Sequence, residues 1–268
     1  MANTKPTNKN INPIFTYSVI PVALLLSILI FKFILGNPVN FIENNPENNP
    51  LPGNYLGIIY KGGYIVPVLM AMLLIVVTFC IERFITIRKS RGNKSVDAFL
   101  SDIRRMLASG QIDQARKACE VQKGSIANVI NAGLYSYEQT LLDKNTDKEH
   151  KILTIQKSIE ETTSLELPML SKNLPIISTL ASVATLVGLL GTVLGMIKAF
   201  AAMATAGAPD AVALANGISE ALINTALGIG TSAIAIIMYN FFTTKIDAIT
   251  YGIDEAGYSV VQSFTSTH

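Results

Sequence analysis

The sequence predicts an all-α, polytopic membrane helical bundle, and three observations predict it. Half of the 268 residues are hydrophobic and only 15% are charged, with a mean hydropathy of +0.40; a soluble domain carries about 25% charged residues. Four apolar stretches, at about 14–35, 64–81, 174–203 and 218–242, come near the roughly 20 residues that a bilayer crossing needs. The charge missing from them is concentrated in segment 82–173, which holds 15 of the 21 Lys/Arg and 12 of the 19 Asp/Glu. A net charge of +2 argues against nucleic acid as a partner. Cys80 and Cys119 stand far apart with no metal-ligand spacing, so neither a disulfide framework nor a zinc site is expected. No Trp is present, which leaves Tyr and Phe to form any aromatic belt.

Residues 1–36 form a leader and the first span. The leader carries Lys5 and Lys9 and no acid. The apolar run exceeds a secretory h-region, and Ile34-Leu35-Gly36-Asn37-Pro38 offers no small-x-small cleavage pattern, so a retained anchor is expected. Lys32, near its end, can snorkel to the headgroups. Segment 37–62, with Asn44-Asn45-Pro46 and Asn48-Asn49-Pro50, is expected to be an extended loop without a core. The remainder, 63–268, carries three spans and two charged parts, 82–173 and 243–268.

Basic residues near the span ends set the orientation. Arg83, Arg88, Lys89, Arg91 and Lys94 follow the second span and Lys245 follows the fourth, whereas 37–62 and 204–217 hold only Lys61. Both termini are therefore expected on the cytoplasmic side of the membrane. In 82–173, Phe99, Ile103 and Leu107, then Ile126, Val129, Ile130 and Leu134, recur at helical spacing. Ser95 reads as a helix start and Gly110 as a stop. Ile152, Ile155, Ile159 and Leu165 lead a helix up to Pro168 and Pro175. Ile246, Ile249, Ile253, Val260 and Val261 carry the fourth helix past the membrane. Long helices are thus expected to extend into the cytoplasm.

The last two spans hold the polar residues. Ser178, Thr185 and Thr192 fall seven apart on one helix face, interleaved with Gly188, Gly191 and Gly195. Such a small-residue surface serves close helix packing equally well, and a hydroxyl can bond back to its own helix. In the fourth span Glu220 is followed by Asn224 and Thr231, with Thr225 and Ser232 as a parallel row and Gly228 between. An ionisable residue in a span costs about 2.5–3.5 kcal/mol on the insertion scale. Glu220 either snorkels to the nearby surface or belongs to a water-accessible face; the polar rows beneath it favour the second. Lys198 is expected to pair with Glu220 or Asp210, or to snorkel.

Two adjacent spans with hydroxyl rows at matched depth can turn them toward a common axis. Two helices cannot enclose a channel, so several copies in a ring around a central pore are expected. Threonines cannot carry a proton as net charge. A proton path then needs a carboxylate near mid-membrane, which we expect from a partner helix inside the ring.

Leu189-Leu190-Gly191-Thr192-Val193-Leu194-Gly195 resembles the LLGTVxG signature of the MotA/TolQ/ExbB proton-channel proteins. Gly217-Ile218-Ser219-Glu220-Ala221-Leu222, with Thr225, Gly228 and Tyr239-Asn240, resembles that family's GIAEAL…T…G…YN stretch. Glu82-Arg83 and Leu107-Ala108-Ser109-Gly110 through Ala118-Cys119 agree, and the likeness covers about 64–262, nearest the ExbB branch. The resemblance implies five copies around the single spans of a two-copy ExbD-, TolR- or MotB-type partner whose aspartate carries the proton. It implies pore-lining roles for Thr192 and Thr225, a functional acid at Glu220, and movement passed to a TonB-like periplasm-spanning protein. Asn216 replaces a family Pro before the glutamate motif. Ile234 replaces the Pro of AIPA, which leaves the last helix without its usual kink. The first span is an addition.

These features predict a proton-motive-force motor subunit that energises TonB-dependent outer-membrane transport. A TolQ-like envelope motor or a gliding or flagellar stator remains open, although 82–173 is modest for engaging a rotor. From another class, a structural scaffold would also use Gly/Ser/Thr faces. No enzyme is expected and no cofactor: the chain lacks HExxH, GxSxG and a P-loop, and has only His150 and His268.

Overall fold

The computed structural model describes residues 13–143, 146–205 and 211–267. Lys5, Lys9, Asp210 and His268 lie outside the described residues. Among the described residues, helices joined by short turns and loops make up the chain, with no strand beyond one isolated antiparallel bridge between Phe41 and Pro50. Four of its helices are long and apolar enough to cross a membrane, so the chain is a multi-pass, all-α membrane bundle.

Helix α1 (Pro13–Leu29) continues as a π-helical turn, Ile30–Leu35. The short α2 (Tyr55–Tyr60) precedes α3 (Val66–Arg91), α4 (Val96–Ala108), α5 (Ile112–Gln122), α6 (Gly124–Leu142) and α7 (Lys148–Ser171). The chain ends in α8 (Leu174–Thr205) and α9 (Ala211–Thr267), an unbroken helix of 57 residues. Nothing interrupts it at Ile234. The chain folds as two compact units, Met1–Cys80 with Ile176–Met238 and Ile81–Pro175 with Tyr239–His268.

In the first unit, segment 37–62 departs from the extended, coreless loop expected of it. Asn40 is buried, and its amide donates to the carbonyls of Ile34 at 2.9 Å and Leu35 at 3.0 Å. These carbonyls end the first helix and would otherwise be unpaired. Asn54 caps α2 by accepting from the Leu56 and Gly57 amides, both at 3.1 Å. Phe41 is buried against the edge of Tyr60, with ring centroids 5.4 Å apart, and Tyr60 stacks on Phe31 at 4.7 Å. Lys61 donates to the carbonyls of Pro46 and Glu47. Burial pushes its ammonium below the ordinary lysine value, with Glu47 opposing. Asparagines that read as loop formers are helix caps here, and two aromatic rings supply a small core.

The second unit has its own core. Ser95 caps α4 by accepting from the Ala98 amide, and Gly110 ends it in the left-handed region at φ 68°. Phe99, Ile103, Leu107, Ile126, Val129, Ile130, Leu134 and Ile155 are all buried. Val260 and Phe264 of α9 join them, Phe264 meeting Tyr137 edge-on at 4.8 Å. Leu165 is 75% exposed, although its spacing placed it with Ile155 and Ile159.

The expected run of helix from Ile152 toward Pro175 breaks at Asn173 (φ 66°), where α7 gives way to α8. Arg83, counted among the basic flanking residues, is fully buried there. It donates to the carbonyls of Met169 (3.1 Å) and Leu170 (3.0 Å), pairing the last turn of α7. Glu82 holds the guanidinium at both oxygens, with Nε to Oε2 at 2.6 Å, and also accepts from Thr86 and Asn173. A buried charge needs such a complete set of partners.

Candidate functional site

Glycines bring α8 and α9 into backbone contact, antiparallel, from Ala184 beside Gly228 to Ala199 beside Gly217. A Cβ on Gly228 would lie 2.6 Å from the Ala184 carbonyl oxygen and 2.8 Å from the Gly188 Cα. One on Gly195 would lie 2.9 Å from the Ala221 nitrogen, and one on Gly217 2.6 Å from the Ala199 Cβ. Only residues without a Cβ permit this approach.

Thr192 and Thr225 meet across this seam. Their hydroxyls touch each other, and both reach backbone carbonyls: Thr192 donates to Gly188 at 3.3 Å and Ala221 at 3.4 Å, and Thr225 to Gly188 at 3.5 Å. Both side chains are half-buried. The pair therefore presents two hydroxyl groups, backed by carbonyls, at the rim of a helix–helix contact. Such a surface can hold water or a carboxyl group in place; it cannot itself ionise at neutral pH.

Asn224 immediately precedes Thr225 in α9 and is fully buried. Its Nδ2 donates to the Gly62 carbonyl at 2.9 Å, and Oδ1 has no hydrogen-bond partner among the described residues. Gly191 makes room for it, since a Cβ there would lie 2.4 Å from the Asn224 Cβ. Asn224 thus ties the fourth span to the approach to the second and does not face an open channel within the chain. Thr231 and Ser232 are also buried, at 3% and 7% exposure. Thr185 is half-buried and Ser178 is exposed.

Glu220 receives Lys198 Nζ at 2.5 Å, with 17% of its side chain exposed against 54% for Lys198. It also packs on Gly63, where a Cβ would fall 2.5 Å from Glu220 Oε1. Gly63 has φ 76°, a conformation costly to any residue with a Cβ. Of the outcomes open to Lys198, the structure thus has the pair with Glu220.

Among the expected residues, the structure groups Thr192, Thr225, Asn224 and Glu220 with Gly188, Gly191, Gly195 and Gly228. Ser178, Thr185, Thr231 and Ser232 form no hydrogen bond to that group. Sequence reasoning missed Gly62 and Gly63, which carry the partner of Asn224 and the seat of Glu220. The Gly62-Gly63 doublet ahead of an apolar run was the available signal.

A profile of the MotA/TolQ/ExbB proton channel family matches residues 122–255, half of the chain. The match takes in Thr192, Glu220, Asn224 and Thr225. No curated protein matches.

Proposed function

The chain belongs to the MotA/TolQ/ExbB proton channel family, whose members act with partner proteins in oligomeric complexes, and from this we propose that it is the channel-forming subunit of an inner-membrane motor. In this reading several copies, five by likeness to the family, form a ring with α8 and α9 toward its axis. A single-span, ExbD-like partner inside the ring supplies the titrating carboxylate. The subunit catalyses no covalent chemistry and needs no cofactor. The motor energises TonB-dependent outer-membrane transport, and both termini of the chain lie in the cytoplasm.

One observation supports the reading above the others: the half-buried hydroxyl pair of Thr192 and Thr225, inside the matched stretch and backed by three carbonyl contacts. The pair offers hydroxyl oxygens as acceptors to water and to a carboxylic acid on the partner, and donates in turn when a hydroxyl rotates off its carbonyl. A carboxylate held there in its neutral form crosses the low-dielectric zone more readily than as an anion. Glu220 and Lys198, bound to each other, stand toward the end that carries the 37–62 segment and can feed or receive the proton. A unit charge moved through 100 mV yields about 2.3 kcal/mol, enough to bias a conformational cycle when coupling is tight.

The test is proton flux into liposomes holding the chain with its partner. Thr225→Val and Thr192→Val keep the shape and remove the hydroxyls, and flux is expected to fall at least about tenfold, in line with loss of one positioned polar group. Unchanged flux in both would overturn the pore assignment. Restoration of TonB-dependent uptake, and not of envelope integrity, in cells lacking their own subunit separates the TonB role from a TolQ-like one.

A further inference from the structure

We propose that the second unit carries a binding site for one anionic phospholipid, at the end of the bundle that carries the charged segment 82–173. Helices α3, α4 and α9 enclose a cleft of about 510 Å³. Arg88, Arg91 and Lys245 line it, with Asp97 as the only acid among its lining residues. None of the three cations is in an ion pair with any described residue. Lys245 rests over the Phe241 ring at 5.6 Å. The cleft therefore has a surplus of two positive charges (three cations less one carboxylate) and no protein anion to answer them. Like charges held this close favour a bound anion.

The remaining lining says which anion. Phe84 and Phe241 are exposed by 51% and 42%, and Phe242 closes the floor at 1%. Phe84 stands three residues past the apolar run that ends at Ile81, and Phe242 ends the run that began at 218. The cleft thus opens where apolar helix gives way to charged helix on both α3 and α9, at headgroup depth. A phosphodiester seats on the arginines, whose planar guanidinium groups suit two oxygens at once. The acyl chains run along the phenyl rings. Basic clusters just beyond a span draw anionic headgroups. A free phosphate would use the same cations and leave the rings bare.

The test uses the full-length chain, delipidated in detergent and titrated with dioleoyl phosphatidylglycerol or dioleoyl phosphatidylcholine under native mass spectrometry. Phosphatidylglycerol is expected to bind roughly tenfold or more tighter than phosphatidylcholine. Arg88→Gln/Arg91→Gln/Lys245→Gln is expected to lose that preference. Lys89→Gln/Lys117→Gln/Lys157→Gln, which removes as much charge outside the cleft, should keep it. Arg88→Lys/Arg91→Lys retains the charge but not the paired donors of the guanidinium groups, and is expected to weaken phosphatidylglycerol binding severalfold, which leaves the idea testable if the triple variant folds poorly. Three results would overturn the proposal: unchanged phosphatidylglycerol binding in the cleft variant; displacement of the lipid by millimolar inorganic phosphate, which marks a free-anion site; or a changed oligomer mass at constant lipid content, which marks a second copy as the occupant.

Discussion

The contact between α8 and α9 can be tested with a single methyl group. In Gly228→Ala the new Cβ would sit 2.6 Å from the Ala184 carbonyl oxygen and 2.8 Å from the Gly188 Cα, where ordinary contact begins at 3.4 Å. The shortfall is about 0.8 Å against the oxygen. Both neighbours are backbone, so no side chain can swing away and the helices must part. Overpacking of this kind costs about 1–3 kcal/mol. Replacing Gly by Ala also favours a helix by about 1 kcal/mol, which would obscure the clash if Gly228→Ala were measured alone. Gly230 removes the ambiguity. It lies two residues on in the same helix and a Cβ there meets nothing within 4 Å, so Gly230→Ala carries the propensity gain without the clash. Purified in one detergent and unfolded by SDS titration, the two variants should differ by about 1–3 kcal/mol, with Gly228→Ala the weaker. Equal stability would refute the backbone contact, and with it the reason Thr192 and Thr225 meet.

Other consequences are open to measurement. Arg83→Leu strands Glu82 in the interior and should destabilise the second unit by about 3–5 kcal/mol, seen as faster proteolysis within 82–173; Glu82→Leu/Arg83→Leu, which leaves no orphaned charge, should recover part of that loss. Asn224→Leu removes the donor to the Gly62 carbonyl and should cost about 1–3 kcal/mol in the same SDS titration, whereas Asn224→Gln, too long for the notch at Gly191, should not rescue it. Burial pushes the Cys119 thiol from 9.0 up to about 12. The folded state therefore keeps the proton that the unfolded chain gives up above pH 9.0, and stability contributed by this group falls between pH 9 and 12. Peptide mapping after maleimide treatment at pH 8 should find Cys119 unlabelled until the protein is unfolded, and rapid native labelling would contradict its burial.

Much of this architecture was legible because it is local. Apolar runs of membrane length, the cap at Ser95 and the stop at Gly110 are written within a turn or two of the elements they define. The glycine seam was legible as well, since Gly188, Gly191 and Gly195 recur at helical spacing, whereas of the row Ser178, Thr185 and Thr192 only the last meets Thr225. What escaped depends on residues far apart in the chain. Arg83 reads as one more flanking cation until the carbonyls of Met169 and Leu170 are brought to it. Asn224 shares the periodicity of a channel row, yet its amide belongs to Gly62, 162 positions away. Segment 37–62 has the composition of a loop, and its asparagines differ from loop formers only in having helix ends within reach.

The buried amide of Asn224 gives the bare seam between α8 and α9 something that glycine alone cannot give. Two smooth backbones pressed together would glide lengthwise with little to stop them. Lodged opposite Gly191 and tethered to Gly62, the amide acts as a key in a keyway: sliding by a single residue would drive it into the neighbouring side chains and leave a carbonyl bare in hydrocarbon. The two hydroxyls therefore stay opposite each other under load, so thrust along either helix moves both as one piece.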